Sequence, residues 1–154
     1  MILGLSACGV PGDRAGGLAL SPEITQSEPA IAALRQAFMA LGPEVDPEEA
    51  ARAARVTYEQ VAALRAAYEI TDPPLIHNTK VNMSLKPRGL CWHWTVDLGA
   101  RLEQERFETL EVHQAIANYN NLRLEHSTVI LGARGAAMDA GIVRDPWRAG
   151  GRST

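Results

Sequence analysis

The 154-residue chain holds two cysteines, Cys8 and Cys91, and the second has the setting of a nucleophile. Lys86-Pro87-Arg88-Gly89 breaks the chain just before it, and Val96, Leu98 and Leu102 continue a helical stripe after it, so Cys91 stands at a helix start. A cysteine attacks as its thiolate, and the unpaired N–H groups and dipole of a helix start favour that negative charge. The amide of Cys91 and its neighbours can bind an oxyanion, and Gly89 lets the backbone come close to a substrate. The general base and the group that orients it must come from elsewhere in the chain. His126 lies on a period-two segment and Asp145 at the end of the next apolar segment, in the order such chemistry needs. Each has an ordinary use when read alone: a core cysteine, a strand histidine satisfied by its neighbours, an aspartate in an Asp-Pro turn.

The remaining chemical side chains compete poorly. Cys91, His93, His113 and His126 are a conceivable zinc set, but Cys-x-His on one helix sets the two side chains about 200° apart around the axis, so no metal is expected, and no cofactor either. His93 suits a packing or cleft role, and His113, among Thr109 and Glu111, a solvated or inter-strand one. His77 has no evident partner. Trp92, Trp94 and Trp147 read as cleft walls and core, and Asn78 and Asn82 are candidate side-chain donors to an oxyanion.

The elements that must position these groups fall into two halves. Ile31, Leu34, Phe38 and Leu41 recur at helical spacing up to Gly42-Pro43. Asp46 with Pro47 starts a second helix, and Thr57 with Gln60 forms a capping-box pattern that predicts a third, running to about Glu69. Arg52, Arg55 and Arg65, among Glu48, Glu59 and Glu69, read as a solvated face and not as an anion site. After Thr71-Asp72-Pro73-Pro74, Leu75-Ile76 with Val81 and Leu85 predicts a fourth, shorter helix, and Cys91 opens a fifth. From Phe107 the period becomes two, through Ile116 and again from Leu122 to Ile130 about a turn at Tyr119-Asn120-Asn121, with a short third strand at 141–144. The predicted class is α+β, with N-terminal helices and a nucleophile-bearing helix packed on an antiparallel sheet.

GLCWHW at 89–94, LEHSTVIL at 124–131 and IVRDPWR at 142–148 resemble the papain-like superfamily of cysteine hydrolases and transferases, especially its bacterial transglutaminase-like branch. The resemblance implies Cys91 as nucleophile, His126 as general base and acid, Asp145 as orienting group, and a papain-like/transglutaminase-like fold. No glutamine stands a few residues before Cys91, where papain places an oxyanion donor, so that role passes to backbone amides or another side chain. Any later strand that completes the sheet in such proteins would lie beyond Thr154.

Leu5-Ser6-Ala7-Cys8 resembles the bacterial lipobox, with Cys8 the lipidated residue. The expected organisation is a truncated lipoprotein signal over 1–8, a Gly- and Pro-rich tether over 9–29, and a single domain over 30–154. Such an anchor implies the bacterial cell envelope, facing the periplasm or exterior, with the membrane reached through lipid on Cys8.

Composition sets the outer bounds. With 46% hydrophobic residues, a formal charge of −3 and 5% aromatics, one ordinary core is expected, and neither a basic surface nor a stacking platform for nucleic acid is present. No apolar run approaches the roughly 20 residues of a bilayer span. Two readings of different kind follow. One is a cell-envelope cysteine hydrolase or acyltransferase acting on the amide bonds of a peptide or protein substrate, peptidoglycan-derived cross-links included. The other is a non-catalytic peptide-binding or scaffolding lipoprotein of the same fold.

Overall fold

A computed structural model describes residues 27–118 and 125–152. Within them the order is α1 (Glu28–Met39), α2 (Pro47–Ala67), α3 (Pro74–Asn82), α4 (Cys91–Glu103), β1 (Leu110–Ala117), β2 (His126–Ala133), a 3-10 turn (Met138–Ala140) and β3 (Ile142–Arg144). This is an α+β arrangement of four helices and a three-stranded antiparallel sheet of order β1-β2-β3. Cys8, the lipobox residues, the first part of the tether and the turn at 119–121 lie outside the described residues. The end of the expected tether is helical: Glu28 and Pro29 open α1, where proline has no N–H bond to lose.

Ile31, Leu34 and Phe38 form the buried stripe of α1. The Asp46 side chain caps α2 by accepting from the N–H groups of Glu48 and Glu49, both at 2.9 Å, with Pro47 at the first helical position. The helix then runs unbroken through Thr57, which corrects the expectation of two helices there. Thr57 is buried, and its hydroxyl donates to the Ala53 carbonyl at 2.7 Å, one turn back, so it acts inside a helix and not as a cap. No glycine or proline interrupts residues 48–67, so nothing ends the helix. Ala50, Ala53, Ala54, Val61 and Leu64 make its buried face, and the small alanines allow close packing on α1. Arg55 bridges the two helices through both oxygens of Glu28 at 3.0 and 3.1 Å.

In α3 the apolar residues point outward: Leu75 and Ile76 are exposed, the buried residue is His77, and the helix ends at Asn82, before Leu85. The core lies between α1, α2 and α4 on one side and the sheet on the other, built from Phe38, Val61, Tyr68, Trp94, Leu98, Leu102, Leu110, Val129 and Leu131. Along β1 and β2 the register runs from Leu110 opposite Ala133 to Ala117 opposite His126, and β2 pairs with β3 through Val129 opposite Arg144. Gly132 is inside β2, opposite Glu111. Among the described residues no helix is long and apolar enough to cross a membrane.

One buried carboxylate ties the halves together. Glu49, on α2, accepts from the backbone N–H groups of Glu108 at 2.5 Å and Thr109 at 2.8 Å and from the Thr109 hydroxyl at 2.6 Å, at the entrance to β1. Burial pushes its pKa up, but the hydrogen bonds from Thr109 and the neighbouring backbone outweigh this and hold it below the usual carboxylate range. A depressed carboxylate contributes stability that is full above its unfolded pKa near 4.5 and is lost as pH falls through the lower folded value. Glu49→Gln should cost about 1–3 kcal/mol at neutral pH and reduce the loss of stability on acidification, as measured by urea unfolding across the acid range.

Candidate active site

Three residues precede Cys91 and every one is held by side chains. His77, buried on α3, donates from Nε2 to the Arg88 carbonyl at 2.8 Å. The Gly89 and Leu90 N–H groups both donate to His93 Nδ1 at 3.1 Å, and the Trp94 indole N–H donates to the Gly89 carbonyl at 3.2 Å. The Leu90 carbonyl takes the N–H groups of His93 and Trp94, which begins α4 with Cys91 as its first residue. Gly89 has φ +126°, a conformation L residues avoid, and a Cβ there would lie 2.4 Å from His77 Nε2. The glycine admits the His77 ring, so the expectation that it opens the backbone toward a substrate is corrected. Two expectations are sharpened as well: His77 has a partner, and His93 caps the helix that carries the cysteine.

Electrostatics reinforce this corner. Arg88 holds Asp97, one turn and a half along α4, with bonds of 3.0 and 3.2 Å, and its guanidinium lies over the rings of Tyr68 and Trp92. The Tyr68 hydroxyl donates to Asp97 at 2.5 Å, and burial followed by this bond pushes the phenol well above its ordinary pKa. Burial, then the Arg88 charge, lowers the His93 pKa, which keeps the ring neutral and its Nδ1 an acceptor. Cys91 is half-buried, and Trp92 beside it is exposed.

At the sheet, His126 Nε2 and Asp145 Oδ2 are 2.6 Å apart, and both side chains are largely buried. A carboxylate only accepts, so Nε2 carries the proton and Nδ1 is left as the basic nitrogen. Asp145 also accepts from the Arg148 backbone N–H at 3.1 Å and from Arg148 Nε at 3.2 Å. The sheet register explains the pairing: Val129 faces Arg144, so Asp145 falls just beyond the last paired residue, and the Thr128 hydroxyl donates to the Arg144 carbonyl at 2.9 Å to hold that end.

The helix and strand starts lie at one end of the molecule. Gly99 of α4 sits against the Gln114 side chain, and Gln114 pairs with Val129. Going back from Gly99 to Cys91 covers about 12 Å of helix, and from Val129 to His126 about 10 Å of strand. At the opposite end Leu102, Phe107 and Leu110 line a common cavity, which sets the direction of both. Strand alternation puts His126 with Thr128 and Ile130, on the face opposite Val129 and Leu131. Trp147 connects it to the helices: its ring lies 5.2 Å from the His126 ring, its indole N–H donates to Asn78 Oδ1 at 3.0 Å, and it lines a small cavity with Gly89 and Trp94. His126 and Asp145 are therefore joined directly, while among the described residues no hydrogen bond links the Cys91 sulfur to His126. Asn82 is exposed at the end of α3. The zinc alternative finds its members apart: His93 in the helix cap, His126 on Asp145, and His113 beside Gly132 on the sheet.

Sequence reasoning missed Arg88, Asp97 and Tyr68 as a group, since their only local signal is Arg88 in the turn. No family model matches the chain, and comparison with curated proteins and with solved structures finds no match.

The cap makes a checkable claim. Because the folded His93 pKa lies below its unfolded value near 6.5, its contribution is full above that value and is lost as pH falls through the folded one. His93→Ala should lose about 1–3 kcal/mol near pH 7.5 by leaving the Gly89 and Leu90 N–H groups without an acceptor. Its penalty should shrink on acidification, and chemical unfolding of both proteins over the same pH series would show it.

Proposed function

We propose that the chain is a cysteine hydrolase or acyltransferase of the transglutaminase-like branch of the papain-like superfamily, acting on amide bonds. The observation that carries this reading is the 2.6 Å bond from His126 to Asp145, in a chain whose Cys91 is the first residue of α4. Asp145 fixes the tautomer, so His126 Nδ1 is the nitrogen that takes the thiol proton. The sulfur then adds to the amide carbonyl, the C–N bond breaks, and the imidazolium returns its proton to the departing amine. Water or a second amine resolves the acyl-enzyme, with His126 again taking the proton from the attacking group. Free catalytic pairs are commonly looser than in the substrate complex, which accommodates a sulfur not yet bonded to the ring.

The oxyanion has backbone donors to hand. The first N–H groups of a helix lack intrahelical acceptors, and those of Gly89 and Leu90 are already committed to His93, which leaves Cys91 and Trp92 at the carbonyl. Asn78 turns its oxygen to the Trp147 indole, a donor-only group, so its amide nitrogen points elsewhere and can add a third donor. Trp147 covers the imidazole, which lowers the local dielectric and strengthens the bond to Asp145.

The proposed setting is the bacterial cell envelope, with the membrane reached through lipid on Cys8 and peptide or protein substrates that include peptidoglycan-derived cross-links. Incorporation of labelled palmitate that disappears in Cys8→Ala tests the anchor. Alkylation by iodoacetamide at about pH 6 tests the chemistry. Cys91 should react on the order of 100-fold faster in the parent chain than in His126→Ala, with Asp145→Asn between them. Equal rates in all three, with unfolding curves unchanged, would replace the enzyme by a peptide-binding module.

A further inference from the structure

Of the two edges of the sheet, one is protected and the other is open. β3, at one edge, is three residues long and runs straight into Asp145-Pro146. So short a strand, followed by a proline, offers little to pair with. β1, at the other edge, is eight residues long, and from Val112 to Ala117 it holds no lysine, arginine or proline. Its register says which backbone groups face away from the sheet. The Arg134 N–H donates to the Thr109 carbonyl at 2.8 Å and Leu110 stands opposite Ala133, so odd-numbered residues turn their N–H and carbonyl groups to β2 and even-numbered ones turn theirs outward. The first outward residues are answered within the chain: Glu49 accepts from the N–H groups of Glu108 and Leu110, and Arg134 donates to the Glu108 carbonyl at 2.7 Å and the Leu110 carbonyl at 3.2 Å. Beyond Leu110 this protection stops. Among the described residues β1 pairs with β2 alone, and no hydrogen bond reaches the outward backbone groups of Val112, Gln114 and Ile116.

Apolar features stand at both ends of this open stretch. Ile116 is 58% exposed. Val112 lines an open cavity of ≈ 140 Å³ with Leu102, Phe107 and Leu110 as its apolar wall, and side chains of both charges complete the lining. That volume is close to the roughly 150 Å³ that holds a benzene ring in an engineered core. Val112 and Ile116 are an even number of residues apart, so both side chains lie on the inner face of the sheet. A strand with an exposed isoleucine at one end and a cavity at the other is complementary to itself when turned end for end, and a twofold contact uses both features twice.

We propose that β1 pairs antiparallel with β1 of a second copy of the chain, about a twofold axis at Gln114. In this register Val112 faces the partner's Ile116, Gln114 faces its own copy, and each of these pairs exchanges two N–H to carbonyl bonds. Each exposed Ile116 comes against the cavity beside Val112 of the other chain. On the outer face His113 meets Ala115 and Glu111 meets Ala117, so no like charges stand opposite one another. A register centred one residue earlier sets His113 against itself and calls on the Leu110 groups that Glu49 and Arg134 already hold. Two three-stranded sheets become one continuous sheet, with the protected β3 at both ends. The pairing is short, so the dimer forms with rising concentration.

Sedimentation velocity of the 154-residue chain over a rising concentration series should show the mass double. Ile116→Lys, at an exposed side chain, should hold the chain at the monomer mass. Gln114→Pro should do the same, since it removes an outward N–H and leaves the bonds to β2 in place, and thermal melts report whether both variants fold. Should the proline unsettle the strand, Ile116→Lys decides alone. The register is read by cross-linking in a chain carrying Cys8→Ala and Cys91→Ala. A short bismaleimide should join two copies through Gln114→Cys and not through Ala117→Cys, whose copies stand about 20 Å apart in this pairing. A chain that stays monomeric throughout the series would overturn the proposal, as would a dimer that survives Ile116→Lys or one that cross-links at position 117 and not at 114.

Discussion

A buried backbone N–H or carbonyl must find a partner, and the turn before α4 has neither helix nor strand to supply one. Three side chains do it: His77 for the Arg88 carbonyl, Trp94 for the Gly89 carbonyl, and His93 for the N–H groups of Gly89 and Leu90. Two of these come from the first turns of α4 itself, so the helix that begins at Cys91 organises its own entrance. The third, from α3, fills the space that Gly89 leaves by having no Cβ. The position of the Cys91 sulfur depends on all of these contacts at once, with Arg88 held down by Asp97.

The second constraint is the register of the sheet. Side chains on neighbouring antiparallel strands meet only where the pairing brings them together, and a slip of one residue would move His126 to the other face. Pairing of Val129 with Arg144 puts Asp145 within a hydrogen bond of the imidazole, and the Thr128 hydroxyl on the Arg144 carbonyl guards against a slip. Trp147, two residues beyond Asp145, then closes the gap to the helices through His126 on one side and Asn78 on the other. His126 thus opens β2 and Asp145 follows β3 directly, while Cys91 opens α4.

Much of the local structure was legible because its causes are local. Asp46-Pro47 opens a helix through a side-chain cap and a preset φ, and alternation after Phe107 marks strands. Pro87 and Gly89 before a helical stripe put Cys91 at a helix start. The same logic misread Thr57 as a cap, since its hydroxyl satisfies a carbonyl one turn back as readily as an N–H one turn ahead. It also gave α3 an apolar inner face, whereas burial of His77 against Arg88 and Gly89 turns Leu75 and Ile76 outward.

Residue types and their order along the chain were enough to nominate Cys91, His126 and Asp145, because a thiol at a helix start and a histidine and aspartate on successive strands are features of single segments. Contacts between segments distant in sequence required the fold. Only packing decided that His126 meets Asp145 and that His77 and His93 serve the turn before Cys91. Spacing along a helix or strand determines which way a side chain points, but its partner depends on how whole elements cross, which is set by burial of the common core.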